Sequence, residues 1–341
     1  MKRWAAKREK WIWIAVFVLT VAIFVISNCV GRYPLSVYEI LCCLGQRLFA
    51  LDLGMPTEAS VIIWNIRLPR AAAGALVGAA LAVSGCAFQG LFKNPLVSQG
   101  ILGVSSGAGF GAALSILLFS GTVFVPVFAF LFGMAAVFLS FMVARLCKGS
   151  ETMMLVLGGT VISSIFSALL SFLKYVADPY NELASIVFWN MGSLASVETA
   201  VFPFSASAMV AGILILLSQG LAINVLSMGE LEAKSMGLAT GMSRFLVISG
   251  ATLATAGAVS ISGTIGWVGL IIPHMARFFV GSDNRKLLLF SIFLGAGFMM
   301  MIDILCRTLT GAEIPLGIMT SLIGGPFFLY LLIRYKGGVW R

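Results

Sequence analysis

An uncharged segment of unusual length runs through the first half of the chain. Asn94–Ala144 spans 51 residues without an Asp, Glu, Lys or Arg. A soluble core helix is much shorter, whereas two crossings of a bilayer take about 20 apolar residues each. Similar segments recur along the 341 residues, of which only 10% are charged, against about 25% in soluble domains. The sequence therefore predicts an all-α, polytopic membrane protein.

Apolar segments of suitable length predict about ten transmembrane helices. They cover residues 11–30, 71–92, 95–110, 123–144, 152–173, 199–219, 245–262, 264–280, 287–306 and 315–333. An even count places both termini on one side of the membrane, and we predict that this side is cytoplasmic. All but six of the 22 Lys and Arg residues then lie on the inner side, as the positive-inside rule requires. The outer six are Arg32, Arg47, Arg67, Arg70, Lys174 and Arg307.

The N-terminus predicts a retained first helix. Residues 1–10 are basic and precede about 20 apolar residues, which is longer than the apolar core of a signal peptide. No small-residue cleavage site follows that core. We therefore predict one transmembrane domain over residues 1–341, with a short basic cytoplasmic segment at residues 1–10.

Composition and motifs argue against several other classes of protein. The net charge of +9 follows from the positive-inside distribution, so we expect membrane lipid and no nucleic acid as a partner. The six cysteines form no CxxC pair, which argues against a disulfide framework and a metal site. The chain has no GxxxxGK(S/T) loop for nucleotide and no convincing nucleophile–base pair. We therefore predict no catalytic residue, no metal and no cofactor bound by this chain.

A few polar residues fall within or near the predicted helices. His274, the only histidine, lies three residues before Arg277 on one helical face. A proton relay is one interpretation, and an interfacial histidine near the cytoplasmic helix end is the favoured one. Asp303 and Arg307 have i,i+4 spacing, so they form a local ion pair or leave Arg307 to dock a partner. Glu313 is expected at the outer surface.

One inner loop, at about residues 220–244, differs from the others. Residues 226–241 predict two short helices separated by a glycine break. A short amphipathic element on this side could dock on another protein. A solvated interfacial loop is the alternative interpretation.

Several long motifs stand in collinear order between about residues 60 and 335. They are Arg67–Arg70, Gly78–Gly85, Gln89–Leu96, Leu102–Gly107, Gly263–Arg277, Asp303–Arg307, Glu313–Gly317 and Gly324–Phe328. Together they closely resemble motifs of the iron-siderophore, heme and cobalamin importer permeases, which are the membrane subunits of type II ABC importers.

This resemblance implies an assembly. It implies ten helices per subunit and a homodimer with the pathway at the two-fold axis. Two ATPase subunits would hold ATP and Mg, and an extracytoplasmic substrate-binding protein would dock outside. The chain would then be a transport subunit and not an enzyme, in the cell (inner) membrane of a bacterium or archaeon.

The resemblance also assigns roles to individual residues. The family's coupling helix, which fits the ATPase cleft, matches Met228, Gly229, Glu230, Leu231, Glu232, Ala233, Lys234, Met236 and Gly237. Its docking positions for the binding protein match Arg67, Arg70 and Arg307. Its inner gate matches Asn94, Pro95 and Leu96, with Ser150 and Thr152 as a further gate match.

Two positions depart from the family pattern. Val97–Gly100 stands where an acid and a proline are usual, and Trp267 stands where phenylalanine is usual. The implied function is ATP-driven import by alternating access, with ferric siderophore as the first candidate ligand; heme, cobalamin and oxyanions stay open. The alternative class is an ion-coupled secondary transporter acting without an ATPase, which the scarcity of buried charges disfavours.

Overall fold

The structure, a computed structural model, is helical throughout its described part. It describes residues 2–31, 33, 35–49, 56–119, 123–147, 151–195, 197 and 199–334, and no strand occurs among them. The first helices are α1 (Lys2–Cys29), α2 (Val37–Phe49), α3 (Thr57–Val61), a π-helical turn (Ile62–Arg67), α4 (Leu68–Leu91), α5 (Val104–Leu118), α6 (Phe124–Leu146) and α7 (Glu151–Val176). The remaining helices are α8 (Glu182–Met191), α9 (Phe202–Ser218), α10 (Gly220–Met228), α11 (Glu230–Ser235), α12 (Thr240–Ser262), α13 (Val268–Val280), α14 (Asn284–Thr308) and α15 (Leu316–Arg334).

The lengths of the helices support a multi-pass membrane protein. In the described part of the chain, six are long and apolar enough to cross a membrane, or seven if α9 and α10, bent by 55°, count as one. Three shorter apolar helices are Val104–Leu118, Val268–Val280 and Leu316–Leu331. Each of the predicted segments overlaps one of these helices. The count of ten crossings stays a prediction.

Small residues allow α4 to form the centre of the bundle. This helix packs against α9, α12, α13 and α14 and is buried on nearly all sides. A Cβ at Gly78 would overlap the Gly295 carbonyl of α14, and a Cβ at Gly85 would overlap the Gly269 carbonyl of α13. Glycine therefore brings these helix backbones into contact, which is how membrane helices pack when hydrophobic burial cannot drive their association.

Two predicted segments begin well before their helices. The third predicted segment, 95–110, was placed too early, because turns occupy residues 95–102 and the helix begins only at Val104. Gly103, with a left-handed φ of 90°, prevents the helix from extending further towards the N-terminus. The eighth segment begins at Val268 and not at 264, because Gly263 and Trp267 have φ angles of 67° and 70°. Neither backbone conformation can be recognised from hydropathy.

Candidate functional site

The predicted gate residues form a turn directly after α4. We call Lys93–Val97 the gate turn. Asn94 Oδ1 accepts a hydrogen bond from Leu96 N at 2.9 Å, and Asn94 O accepts one from Val97 N at 3.2 Å. Leu96 is 51% exposed. Pro95 favours this turn, since proline biases the preceding residue away from helix. The role of the turn as a gate stays a prediction.

The second pair of predicted gate residues receives less support. Ser150 lies outside the described residues. Thr152 lies in the first turn of α7, which begins directly after residues 148–150. Those three residues are outside the described part of the chain. Their role as a gate stays a prediction.

The predicted coupling residues form a distinct segment. We call Met228–Gly237 the coupling segment, and its helix–glycine–helix pattern is confirmed because α10 ends at Met228 and α11 begins after Gly229. Helix α11 ends in a Schellman motif, in which Leu238 N donates to Ala233 O at 3.1 Å and Gly237 N to Lys234 O at 3.0 Å. Gly237 has the left-handed φ of 79° that this motif requires.

One side of the coupling segment is apolar and exposed. The exposed fractions of Met228, Leu231 and Met236 are 64%, 80% and 60%, whereas Ala233 is completely buried against the bundle. Glu232 and Lys234 are also exposed. The segment is therefore fixed at Ala233 and exposes three large apolar side chains, one at the end of α10, one in α11 and one directly after α11.

Glu230 connects the coupling segment to α12. Its carboxylate lies 2.9 Å from Lys234 Nζ and 3.3 Å from Nη2 of Arg244, an arginine in the first turns of α12. The hydrogen bonds from Lys234 and Arg244 hold the pKa of Glu230 below its ordinary value. Because the folded-state pKa is lowered, this interaction is complete above the unfolded-state pKa and is lost only as the pH falls through the lowered value. It therefore persists at neutral pH.

A small cavity lies between the gate turn and the coupling segment. Its volume is about 250 Å³, and it is lined by Leu91, Phe92, Lys93, Leu226, Glu230 and Arg244. The two predicted sites, which are more than a hundred residues apart in sequence, therefore lie at the same end of the bundle.

The third predicted site, at the other end of α4, is an ionic cluster. Arg70 Nε and Nη2 donate to Asp303 Oδ1 at 3.0 and 2.8 Å, and its Nη1 and Nη2 donate to the Glu313 carboxylate at 3.0 and 2.9 Å. Arg307 Nε lies 3.3 Å from Asp303 Oδ2, so the predicted local ion pair is confirmed. The Asp303 side chain is only 2% exposed. Glu313, expected at the outer surface, is partly buried in this cluster.

Arg67 and Arg307 also close the C-terminal end of α1. Arg67 Nη1 donates to the carbonyl oxygens of Asn28 and Cys29 at 2.6 and 3.0 Å, and its Nη2 donates to Tyr33 O. Arg307 donates to the carbonyl oxygens of Ser27 and Val30 at 2.8 and 3.0 Å. The last carbonyls of a helix have no partner within the helix, so these guanidinium groups satisfy them. The predicted docking arginines thus all have partners within the chain, and docking itself stays a prediction.

His274 lies in the middle of α13 and not near its end, as the favoured interpretation expected, and the residue is only 7% exposed. Its depth relative to the membrane interface stays a prediction. Its Nδ1 is 3.2 Å from Leu270 O, and its ring packs edge-on against Phe328 of α15. Because α13 packs between α4 and α15, the middle of the helix is enclosed on both sides.

A second, larger cavity lies at the far end of α12 from Arg244. It has a volume of about 460 Å³ and is bounded by α5, α6, α8 and the end of α12. Helix α8, which contributes Glu182, Ser185 and Trp189 to its wall, was not predicted from the sequence. At 10 residues it is too short to cross a membrane, so a search for apolar spans cannot find it.

Apolar helices of membrane-spanning length that pack through glycine define a multi-pass membrane protein. Residues 19–334 match the FecCD transport family. The chain belongs to this family, whose members are permeases of type II ABC importers, and it is a transport subunit and not an enzyme.

Individual relatives cover most of the chain. The molybdate import system permease protein MolB of Haemophilus influenzae is 41% identical over 329 residues, 94% of each protein. The cobalamin import system permease protein BtuC of Halobacterium salinarum is 40% identical over 283 residues, 83% of this chain and 76% of that protein. A solved structure assigned to the metal-chelate type of ABC transporter, in an inward-facing conformation, has a TM-score of 0.85 at 38% identity. It covers 95% of this chain and 99% of that chain.

Proposed function

We propose that two copies of this chain form the membrane pathway of an ATP-driven importer. Two ATPase subunits bind the coupling segments, and an extracytoplasmic binding protein delivers the ligand at the Arg70 end. Both termini face the cytoplasm, and the gate turns of the two copies face each other across the two-fold axis. Nucleotide binding in the ATPase changes the relative stability of the inward-facing and outward-facing conformations of the transporter. Only this difference in binding between the two conformations can move the gates.

The observation that carries this proposal is a line of hydroxyl groups along α7. Thr160, Ser164, Ser167 and Ser171 are all exposed, and their spacing of four, three and four residues places them on one face of the helix. The helix has no charged residue between Thr152 and Leu173. We take this exposed polar line to contact a water-filled path. A second copy placed against this face encloses such a path.

The hydroxyl groups are suited to weak, non-selective contact. Thr160 Oγ1 donates to Leu157 O at 2.8 Å, and Ser164 and Ser171 donate to the carbonyls four residues earlier at 2.9 Å. Their hydrogen atoms are therefore used within the helix, which leaves their oxygen lone pairs available as acceptors. A pathway lined in this way can accept weak hydrogen bonds from a polar ligand or its water shell without retaining the ligand.

The proposed ligand is a metal chelate, with a ferric siderophore as the first candidate. The fold similarity to a transporter assigned to the metal-chelate type supports this class. Molybdate is the second candidate, because the Haemophilus influenzae relative named for molybdate import matches 94% of the chain. Hemin and cobalamin complete the set of ligands to compare.

Uptake into proteoliposomes tests the importer directly. The chain is reconstituted with its ATPase and binding protein. We expect these proteoliposomes to take up one of ferric siderophore, molybdate, hemin or cobalamin, and only when ATP is present on the side of the membrane that the ATPase faces. Leu231→Asp should abolish this uptake and co-purification of the ATPase. An unpaired carboxylate buried in the interface costs about 2 kcal/mol or more, which is roughly 30-fold in affinity.

Leu309→Asp is the matched control for co-purification. Leu309 is also exposed, at 58%, but follows α14 at the Arg70 end, so its variant should retain the ATPase. Uptake driven by an ion gradient without ATP would overturn the importer. Normal co-purification with Leu231→Asp would show that the ATPase binds elsewhere.

Thiol labelling tests the line of hydroxyl groups. In a background without the six native cysteines, Ser164→Cys in the assembled transporter should react with a membrane-impermeant thiol reagent, and bound ligand should slow the reaction. Leu169→Cys is the control, because Leu169 is also exposed but lies on the opposite face of α7. We expect it to face lipid and to stay unlabelled. Equal reactivity at the two positions would contradict the assignment of the pathway.

A further inference from the structure

A buried glutamine holds the gate turn from inside the bundle. Gln89 lies in the last turn of α4 and is 3% exposed. Its backbone O accepts a hydrogen bond from Asn94 N at 3.2 Å. Its side-chain Nε2 donates to Val97 O at 3.4 Å and to Gly269 O at 3.2 Å. One residue therefore contacts both ends of the gate turn and the first turn of α13.

Arg277 fixes the orientation of this side-chain amide. Its Nη1 donates to Gln89 Oε1 at 2.7 Å. A guanidinium group has donors only, so Oε1 must face Arg277 and Nε2 must face the two carbonyl oxygens. Glutamine can make this set of bonds because it carries an acceptor and a donor at the end of one side chain. Glutamate lacks the donor, and methionine lacks both strong groups.

A second glutamine ties the chain after the gate turn to the same region. Gln99 is also 3% exposed, and its Nε2 donates to Ile265 O at 3.2 Å. Its side chain packs against Gly269, where a Cβ would overlap Gln99 Oε1. The absence of a side chain at Gly269 thus lets α4 and the segment after the turn approach the start of α13 together.

We propose that Gln89 is a positioning residue that clamps the gate turn to α13, so that the turn and α13 move as one body. The importance of the clamp for transport rests on the proposed function. The clamp itself is a property of this chain. Movement of α13 then carries the turn with it, and loss of the Nε2 donor frees the turn while the contact with Arg277 is kept.

Spin-label distances test the clamp in the assembled transporter. Labels are attached at Leu96→Cys and Phe278→Cys, both exposed positions, in a background without native cysteines. Labelled chain is diluted with unlabelled chain so that each complex carries one pair. We expect a single narrow distance, the same without nucleotide and with ATP trapped. Gln89→Glu should lose the narrow peak, because its carboxylate repels both carbonyls while still accepting from Arg277.

Gln89→Met is the second variant and should also lose the narrow distance peak. It keeps the test valid if Gln89→Glu does not fold. Ser260→Ala is the control, because it removes a different buried hydrogen bond, to Ser205 Oγ at 2.9 Å, and should keep the peak. The clamp is overturned if folded Gln89 variants keep the narrow distance, if Ser260→Ala loses it equally, or if the unmutated distance changes between nucleotide states. The measurement needs no transported ligand, so failure of the uptake assay is distinguishable from failure of the clamp.

Discussion

Gly85→Leu is expected to prevent stable folding of the bundle. A Cβ at this position would lie 2.5 Å from Gly269 Cα and would overlap the Gly269 carbonyl group. These neighbours are backbone atoms, so no change of rotamer relieves the overlap and α4 must move away from α13. We expect a loss above about 3 kcal/mol, a large part of the 5–15 kcal/mol that typically stabilises a folded protein. Monodisperse protein remaining after stepwise heating in detergent measures this loss.

Gly241→Leu is the matched control for this substitution. Gly241 also lies in a helix, in the first turn of α12, but a Cβ there would have no atom within 4 Å. We expect its stability to change by no more than about 1 kcal/mol, and upwards, because leucine favours helix over glycine. Equal losses in the two variants would show that the contact between α4 and α13 does not determine the effect.

Arg70→Met is expected to destabilise the chain by about 3–5 kcal/mol, the usual loss when one partner of a buried ion pair is removed. Arg70 and Asp303 have side chains that are 11% and 2% exposed. The substitution leaves Asp303 with Arg307 as its remaining cationic partner and removes two hydrogen bonds from Glu313. Thermal unfolding of the purified protein, at low and high salt, measures the loss.

An exposed ion pair provides the comparison for Arg70. Arg285 lies 3.2 Å from Asp283, and its side chain is 61% exposed. Arg285→Met should therefore cost between 0 and about 1 kcal/mol, and less in high salt. Similar losses for Arg70→Met and Arg285→Met, or a strong salt dependence of the former, would contradict the role of burial.

This expectation affects how docking of a binding protein should be tested. Reversing the charge of Arg70 would place a third acidic group beside Asp303 and Glu313, so slower association would report a disturbed fold as well as a lost contact. Replacing acidic residues on the binding protein leaves the cluster intact. Rim charges chiefly set association rate and its salt dependence, so slower, less salt-sensitive association is the expected result if these arginines dock it.

Much of the helical framework could be predicted from the sequence because the bilayer imposes one length and one composition on every crossing. The long helices α4, α6 and α14 satisfy both conditions and were found close to their observed bounds. The helix–glycine–helix pattern of the coupling segment was also predictable, since Gly229 and Gly237 interrupt a short helical pattern.

Partnerships between distant residues could not be predicted in the same way. Arg70 and Glu313 are 243 residues apart, and Arg277 and Gln89 are 188 residues apart. Hydropathy identifies each residue as polar but does not indicate which helices become neighbours. For this reason the resemblance assigned Arg67, Arg70 and Arg307 to a partner protein. In the structure these arginines contact Asp303, Glu313 and the end of α1.

The start of α13 shows a second limit of sequence analysis. Trp267 is a non-glycine residue with a φ of 70°, and such residues are uncommon in the left-handed region. A tryptophan gives no local sign of this conformation. Its ring packs near Phe328 of α15, and Gly324 of α15 has room only for hydrogen beside it. Tertiary contact therefore determines where the helix begins.

The closure of α1 by Arg67 and Arg307 has a consequence for synthesis of the chain. Arg307 is 277 residues away from Val30, whose carbonyl it caps. At about 5–20 residues per second, the ribosome needs roughly 14–55 s to add that many residues. Throughout this time the end of α1 has at most Arg67 as a cap, and only the emergence of α14 completes the junction. Helix α1 is therefore synthesised first, but its C-terminal end is among the last parts of the bundle to gain all its hydrogen bonds. A ribosome stalled before α14 leaves the C-terminal end of α1 partly uncapped.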